Sequence, residues 1–485
     1  MINLRSLYKV LGSLLFIEAG LMSVCLAMAA LYGEDDVPAF VVSVLFTSLS
    51  AIVLKYLGRD SDNTLSRRDA YLLVTLSWTV FSLFGTLPFI VSGYIHSFTD
   101  AYFETMSGFT TTGATIIDDV EALPHGLLFW RSLTQWIGGL GIVFFTVALL
   151  PSLVGGSVRV FAAEATGPIR SKLHPRLSMS AKWILMVYMV LTAGCCISYY
   201  AGGMGWFDAA NYSMSTTATG GFATHNMSAE FFNSPALEYI CTLFTFLSGV
   251  SFTLLYMSVT KFRMKTLLSN SEFKFYIGII AACSLFIMAA LMINNGYGLE
   301  KAFRAGIFQV VSFITTTGLF NDDAGKWPHV TWVVLALCMF IGGCSGSTSG
   351  GIKCVRGIML AKVIRNEMRQ ILHPSAVLPL RIGGVNVSSQ QRVTLLAFIT
   401  AYLALFFVVA FTMVLAGVDS TNAITITISS LGNVGPTLGL EIGPTMSWSA
   451  LPWFAKWMCS FMMLVGRLEI FTVLVIFTPE FWNKN

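Results

Sequence analysis

The sequence predicts an all-α polytopic membrane protein. Four pseudo-repeats of helix, re-entrant pore helix, filter loop and helix surround a central pore, after two N-terminal transmembrane helices. Three observations predict this. Hydrophobic residues make up 55% of the chain and charged residues only 11%, where a soluble protein carries about a quarter. About ten apolar stretches reach the roughly 20 residues that a membrane-crossing helix needs. And one phrase recurs: GFTTTGA at 108–114, STTATGGF at 215–222 and FITTTGLF at 313–320.

The apolar stretches lie near 7–32, 38–57, 70–94, 126–153, 180–201, 236–260, 275–294, 329–364, 393–417 and 451–478. The first runs from Leu7 past Met28 with no small-residue cleavage site, so it reads as a retained helix and not a signal peptide. Residues 1–66 hold the leading pair. The four repeats take 67–165, 166–266, 267–380 and 381–485. Nine cysteines lie in or beside apolar stretches without a CxxC pair. They read as small buried hydrophobes, with no disulfide and no metal expected.

Lysine and arginine set the orientation, because cytoplasmic loops carry their excess. With a cytoplasmic N-terminus and ten alternating helices, both termini lie inside. Of the 29 basic residues, all but Arg131, Lys301, Arg304, Lys326, Lys456 and Arg467 then fall on the inner side. The net charge of +4 therefore records topology and does not point to nucleic acid. The outer side carries Glu34, Asp35, Asp36, Asp118, Asp119, Glu121, Asp322 and Asp323, a field that attracts cations.

Each repeat places a short segment between two long apolar ones: FTDAYFETMSGFTTTG, WFDAANYSMSTTATG, FRAGIFQVVSFITTTG and DSTNAITITISSLGNVG. Aligned on an alanine and a final glycine, Ala101–Gly113, Ala209–Gly220, Ala305–Gly318 and Ala423–Gly435, the gaps are 12, 11, 13 and 12. Such helices are too short to cross a bilayer and must re-enter it. Thr99–Asp100, Asp208 and Asp419–Ser420 mark three of the starts, and Gly298 with Glu300 the weaker fourth. Irregular backbone at membrane depth must line a path or be buried in protein. A half-helix turns its negative end toward the phrase that follows. Glycine permits an extended backbone, and threonine adds a hydroxyl oxygen. Four such segments make a ring of oxygens able to replace the water shell of a cation.

The segments following each phrase align as IGGLG (137–141), LSGVS (247–251), IGGCS (341–345) and VGRLE (465–469). Gly139, Gly249 and Gly343 match Arg467. An arginine inside an apolar helix marks a path or a paired charge. Arg467 is expected either to face the pore or to pair with Glu469, and its glycine repeat-mates favour the pore. The run GGCSGSTSGGIK at 342–353 is too glycine-rich for a helix and should break in mid-membrane. No H-E-x-x-H, P-loop or G-x-S-x-G occurs, so the chain does not read as an enzyme. Four same-orientation repeats also differ from the inverted pairs of most broken-helix secondary transporters.

The pattern resembles the Trk/Ktr/HKT superfamily of potassium transporters across about residues 1–482. The resemblance implies potassium uptake, also of rubidium, across a bacterial inner membrane. K+ is then the transported ion, with no organic cofactor. The alternative it leaves open is an ion-coupled cation symporter of the same fold. It assigns the filter to Thr111, Thr112 and Gly113; Ala218, Thr219 and Gly220; Thr316, Thr317 and Gly318; and Asn433, Val434 and Gly435. The fourth set departs most from the threonine pattern. It assigns the gate to an intramembrane loop of Gly343, Cys344, Ser345, Gly346, Ser347, Thr348, Ser349, Gly350 and Gly351, closed by Arg467. It implies a homodimer in contact with membrane lipid. A cytosolic nucleotide-binding regulatory subunit (TrkA-like) would dock below the basic loops at 155–182 and 366–392. No nucleic-acid partner is expected.

Overall fold

A computed structural model describes residues 2–61, 65–141, 177–260, 264–376, 378–383, 385–439 and 441–483. The stretch expected at 126–153 beyond residue 141, the basic loop 155–182 up to residue 176, Lys261, Arg263 and Lys484 lie outside the described residues.

The leading pair is α1 (Leu4–Tyr32) and α2 (Val37–Leu57). The Asn3 side chain accepts from Ser6 N and starts α1, and Gly33 in a left-handed conformation ends it. Each repeat then opens with an outer helix. In the first, α3 (Arg67–Gly85) continues as α4 (Leu87–Ser92); the others are α7 (Leu177–Ala201), α12 (Ser271–Asn294) and α16 (Ser389–Leu415). A capping box of Ser66 and Asp69 begins α3, and one of Ser388 and Gln391 begins α16. Next come the short helices α5 (Phe98–Phe109), α8 (Trp206–Ala218), α13 (Leu299–Ile314) and α17 (Ser420–Gly432). At 12 to 16 residues they span about 18–24 Å, short of the roughly 30 Å hydrocarbon core. Their caps are Ser97, Gly205, Gly298 and Asp419. Thr99, Asp100 and Asp208, expected as starts, sit inside the first turn instead.

The second helices are not continuous: the third breaks at 342–353 as expected, and the other three break where unbroken stretches were expected. α6 (His125–Leu140) stops at Gly141, whose φ is 90°. α9 (Pro235–Ser248) and α10 (Phe252–Thr260) meet at a 100° bend, and the short α11 (Met264–Ser269) leads back toward α12. α14 (His329–Ile341) and α15 (Cys354–Leu372) are separated by the glycine-rich run. α18 (Trp453–Arg467) and α19 (Ile470–Leu474) meet at 114° across Glu469, whose φ is 63°. All four breaks fall on the aligned phrases IGGLG, LSGVS, IGGCS and VGRLE. Close backbone approach explains two of them. A Cβ on Gly138 would collide with the Phe109 carbonyl, and one on Gly466 with the equivalent Leu431 carbonyl. Among the described residues, six helices are long and apolar enough to cross a membrane unbroken, and the two bent pairs add two more.

Between α15 and α16 a two-residue antiparallel ladder pairs β1 (Arg381–Ile382) with β2 (Val385–Asn386). α20 (Pro479–Trp482) follows at the end. Burial is inverted relative to a soluble protein. Leu45 on α2 and Val190, Ile293 and Phe411 on the outer helices are exposed, while Ser107, Thr216, Thr315 and Ser430 are fully buried at the centre. That arrangement suits lipid outside and close helix packing within.

Candidate functional site

Each short helix ends in the same backbone figure. Thr111, Thr219, Thr316 and Asn433 take left-handed φ of 54–56°, a conformation that costs a non-glycine residue free energy. The next residue donates its N–H back to the helix: Thr112 to Ser107 O, Gly220 to Ser215 O, Thr317 to Ser312 O and Val434 to Ser429 O, at 2.8–3.0 Å. These bonds satisfy carbonyls that a helix end leaves open. Then Gly113, Gly221, Gly318 and Gly435 return to positive φ, from 80° to 100°.

This fixes the register and corrects one assignment. In the second segment the glycine level with the other three is Gly221. Gly220 stands level with Thr112, and Ala218 is the last residue of α8, level with Thr110. The gap Ala209–Gly221 is then 12, as in the first and fourth segments. Two adjacent glycines in STTATGGF hid the shift.

The four segments close head to tail. A Cβ on Gly113 would collide with the Gly220 carbonyl oxygen, on Gly221 with that of Thr317, on Gly318 with that of Val434, and on Gly435 with that of Thr112. Glycine is required at all four positions twice over, by φ and by space. These glycines also floor a vestibule walled by Asp118, Arg131, His225, Asn226, Phe320 and Trp448. The carboxylate of Asp118 is held below its usual range, chiefly by hydrogen bonds from Ser447 and Ser449. His225 lies 3.3 Å from Glu121 and 3.6 Å from Asp208 and stacks on Phe231. Burial acts against its charged form, but the hydrogen bonds and charges of Asp208 and Glu121 outweigh that and raise its pKa.

On the opposite side of the ring lies the run 342–353. It contacts three segments directly. Thr348 Oγ1 donates toward Thr217 O and Ser248 O, Gly350 N donates to Thr316 Oγ1 at 2.6 Å, and Gly351 N donates to Gly432 O at 3.0 Å. Cys344 N donates to Gly249 O, and Ser345 N to Glu272 Oε1 at 2.7 Å. Gly343 packs on Ser349, Gly346 O accepts from Phe252 N, and the Ser347 hydroxyl bonds Cys344 O and Ser349. The fourth contact comes from Arg467. It donates to Thr348 O at 2.9 Å and to Gly138 O and Gly139 O in the first repeat at 2.5 and 2.7 Å. Glu469, the alternative partner weighed for Arg467, is held by Arg356 at 2.6 Å.

Three features were not read from the sequence. Lys353, counted with the cytoplasmic basic residues, is buried and donates to Ser349 O within the run. Arg131, counted as an outer charge, forms a buried ion pair with Glu104 at 2.9 Å. It also reaches Ala223 O and Thr115 Oγ1, and lies over the Phe222 ring. Gln135, one helical turn on, bonds Gly220 O, Ser215 and Phe222 N. A charged and an amide side chain at i, i+4 in a mostly apolar segment were the available signal for the last two.

Comparisons with known proteins agree over nearly the whole chain. The profile of the TrkH family, described as cation transport protein, matches residues 37–484. The Trk system potassium uptake protein TrkH of Halomonas elongata is 38% identical, covering 99% of this chain and 100% of its own. That of Escherichia coli is 34% identical at the same coverage. The crystal structure of the potassium transporter TrkH from Vibrio parahaemolyticus matches at a TM-score of 0.90 with 33% identity, over 99% of this chain and 100% of that one.

Proposed function

Because this chain belongs to the TrkH family of cation transport proteins, we propose that it carries potassium and rubidium across the inner membrane through the four-glycine ring. The observation that carries this reading is the head-to-tail closure of four equivalent segments. A dehydrated cation needs oxygen ligands on several sides at once. The carbonyls of Thr112, Gly220, Thr317 and Val434 each lie against the positive-φ glycine of a neighbouring segment, which brings all four around one level. The C-terminal ends of α5, α8, α13 and α17 add partial negative charge at that level. The filter then consists of Thr111, Thr112 and Gly113; Thr219, Gly220 and Gly221; Thr316, Thr317 and Gly318; and Asn433, Val434 and Gly435.

The run 343–351 is the gate in this reading. It bonds to all three of the segments beyond the first and so lies across the path, and Arg467 fastens it to the first repeat. A fixed guanidinium there also opposes a passing cation. The relatives are named as proteins of the Trk system; here we assign a homodimer and a cytosolic nucleotide-binding regulatory subunit beneath the basic loops. The test is flux in liposomes with potassium, rubidium, sodium and lithium. Potassium and rubidium should pass and sodium and lithium lag. Equal rates for all four would overturn the filter.

A further inference from the structure

The second filter segment lacks what the first and third possess. Thr110 and Thr112 share a hydroxyl hydrogen bond of 2.8 Å, and Thr315 and Thr317 one of 2.7 Å. The matching residues of the second segment are Ala218 and Gly220, which have no hydroxyl to share. Gly220 is not a glycine for its backbone's sake, because its φ is not positive. What excludes a side chain there is Gln135, whose amide occupies the space a Cβ would take. Gln135 Nε2 donates to Gly220 O at 2.7 Å, and its Oε1 accepts from Ser215 Oγ at 2.9 Å and Phe222 N at 3.1 Å. The Phe222 N–H and the Gly220 carbonyl fix the amide's orientation, since a flipped amide would set donor against donor and acceptor against acceptor. Gln135 is buried.

The aligned positions of the other repeats are Thr245, Met339 and Met463, and those matching Arg131 are Cys241, Leu335 and Cys459. Only the first repeat carries this polar pair, and both members act on the second segment: Arg131 on Phe222 and Ala223, Gln135 on Gly220.

We propose that Gln135 is a positioning residue for ion selection, supplied by the first repeat to stand in for the side chains that the second filter segment lacks. It fixes the position of the Gly220 carbonyl and holds one of its lone pairs. The Gly220 oxygen therefore pulls on a passing cation less than its three counterparts do. This rests on reading the ring as the filter.

The test is the ratio of potassium to sodium uptake in liposomes by the full chain. Gln135→Met keeps the bulk without the donor and should lower the ratio about fivefold, the factor one neutral hydrogen bond is worth in an equilibrium. Gly220→Thr should lower it as well, by expelling the amide. The double variant Gln135→Ala/Gly220→Thr vacates the space and refills it from the backbone side, and should recover a ratio above either single variant. If Gln135→Ala alone does not assemble, recovery of a monodisperse, potassium-preferring double variant is the same expected result. A double variant no better than the worse single one overturns the proposal, as does a wild-type ratio in Gln135→Met. Gly221→Ser separates the two levels. If it collapses the ratio while the Gln135 variants do not, only this inference falls. If it too leaves the ratio unchanged, the filter reading falls and this inference with it.

Discussion

Arg131 and Glu104 form an ion pair in which both side chains are almost wholly buried, at 2% and 0% exposure. Removing one member of such a pair leaves the other charge uncompensated, at a cost of about 3–5 kcal/mol. Arg131→Met should therefore lower thermal stability in detergent markedly, and Glu104→Gln added to it should restore part of the loss. A single variant that melts like the wild type would contradict this. Arg467 calls for a different expectation. The carbonyls of Thr348, Gly138 and Gly139 that accept from it belong to the glycine-rich run and the first repeat, so in the proposed reading Arg467→Ala should loosen the gate and raise flux while the potassium-to-sodium ratio stays constant. Arg467→Lys keeps the charge but loses the planar fork, and its flux should fall between. A folded Arg467→Ala with lower flux would make the residue a structural tie. The position of Arg467 was legible because three glycine repeat-mates exposed it. The Arg131 pairing was not, because Glu104 lies 27 positions away and only the fold brings the two together.

At the scale of elements, the four half-helices were legible from length, with capping chemistry right only at Gly298 and Asp419, and the fourfold repeat from glycine spacing. The breaks in the second helices were partly hidden. Their flanks are continuously apolar, so hydrophobicity alone carries a helix through 236–260 and 451–478, and tertiary contact overrides it. The glycine density of 342–353 announced a break, but not that its polar groups would be satisfied by the ends of three pore helices. That satisfaction makes the run separable from the scaffold. Deleting 345–349 should raise basal flux in a protein that still assembles, because the ring above is closed by its own contacts. If yield and flux drop together, the run is packing. If flux is unchanged, it is no barrier.

The uneven distribution of basic residues predicts one orientation for the whole molecule. An impermeant thiol reagent checks it in a cysteine-free background. Lys326→Cys, at an exposed position beyond the third filter segment, should label from outside intact cells. Asn386→Cys, at an exposed position of the ladder, should label only after permeabilisation, and the reverse pattern would invert the topology. The closed ring has a further consequence for heredity. In an assembly of four identical chains, one altered codon changes four quadrants at once. Here one codon changes a single quadrant, and the other three hold the opening in shape while it varies. If the ring selects the ion as proposed, natural variation can therefore adjust ion preference in small separate steps, quarter by quarter, with each step exposed to selection alone.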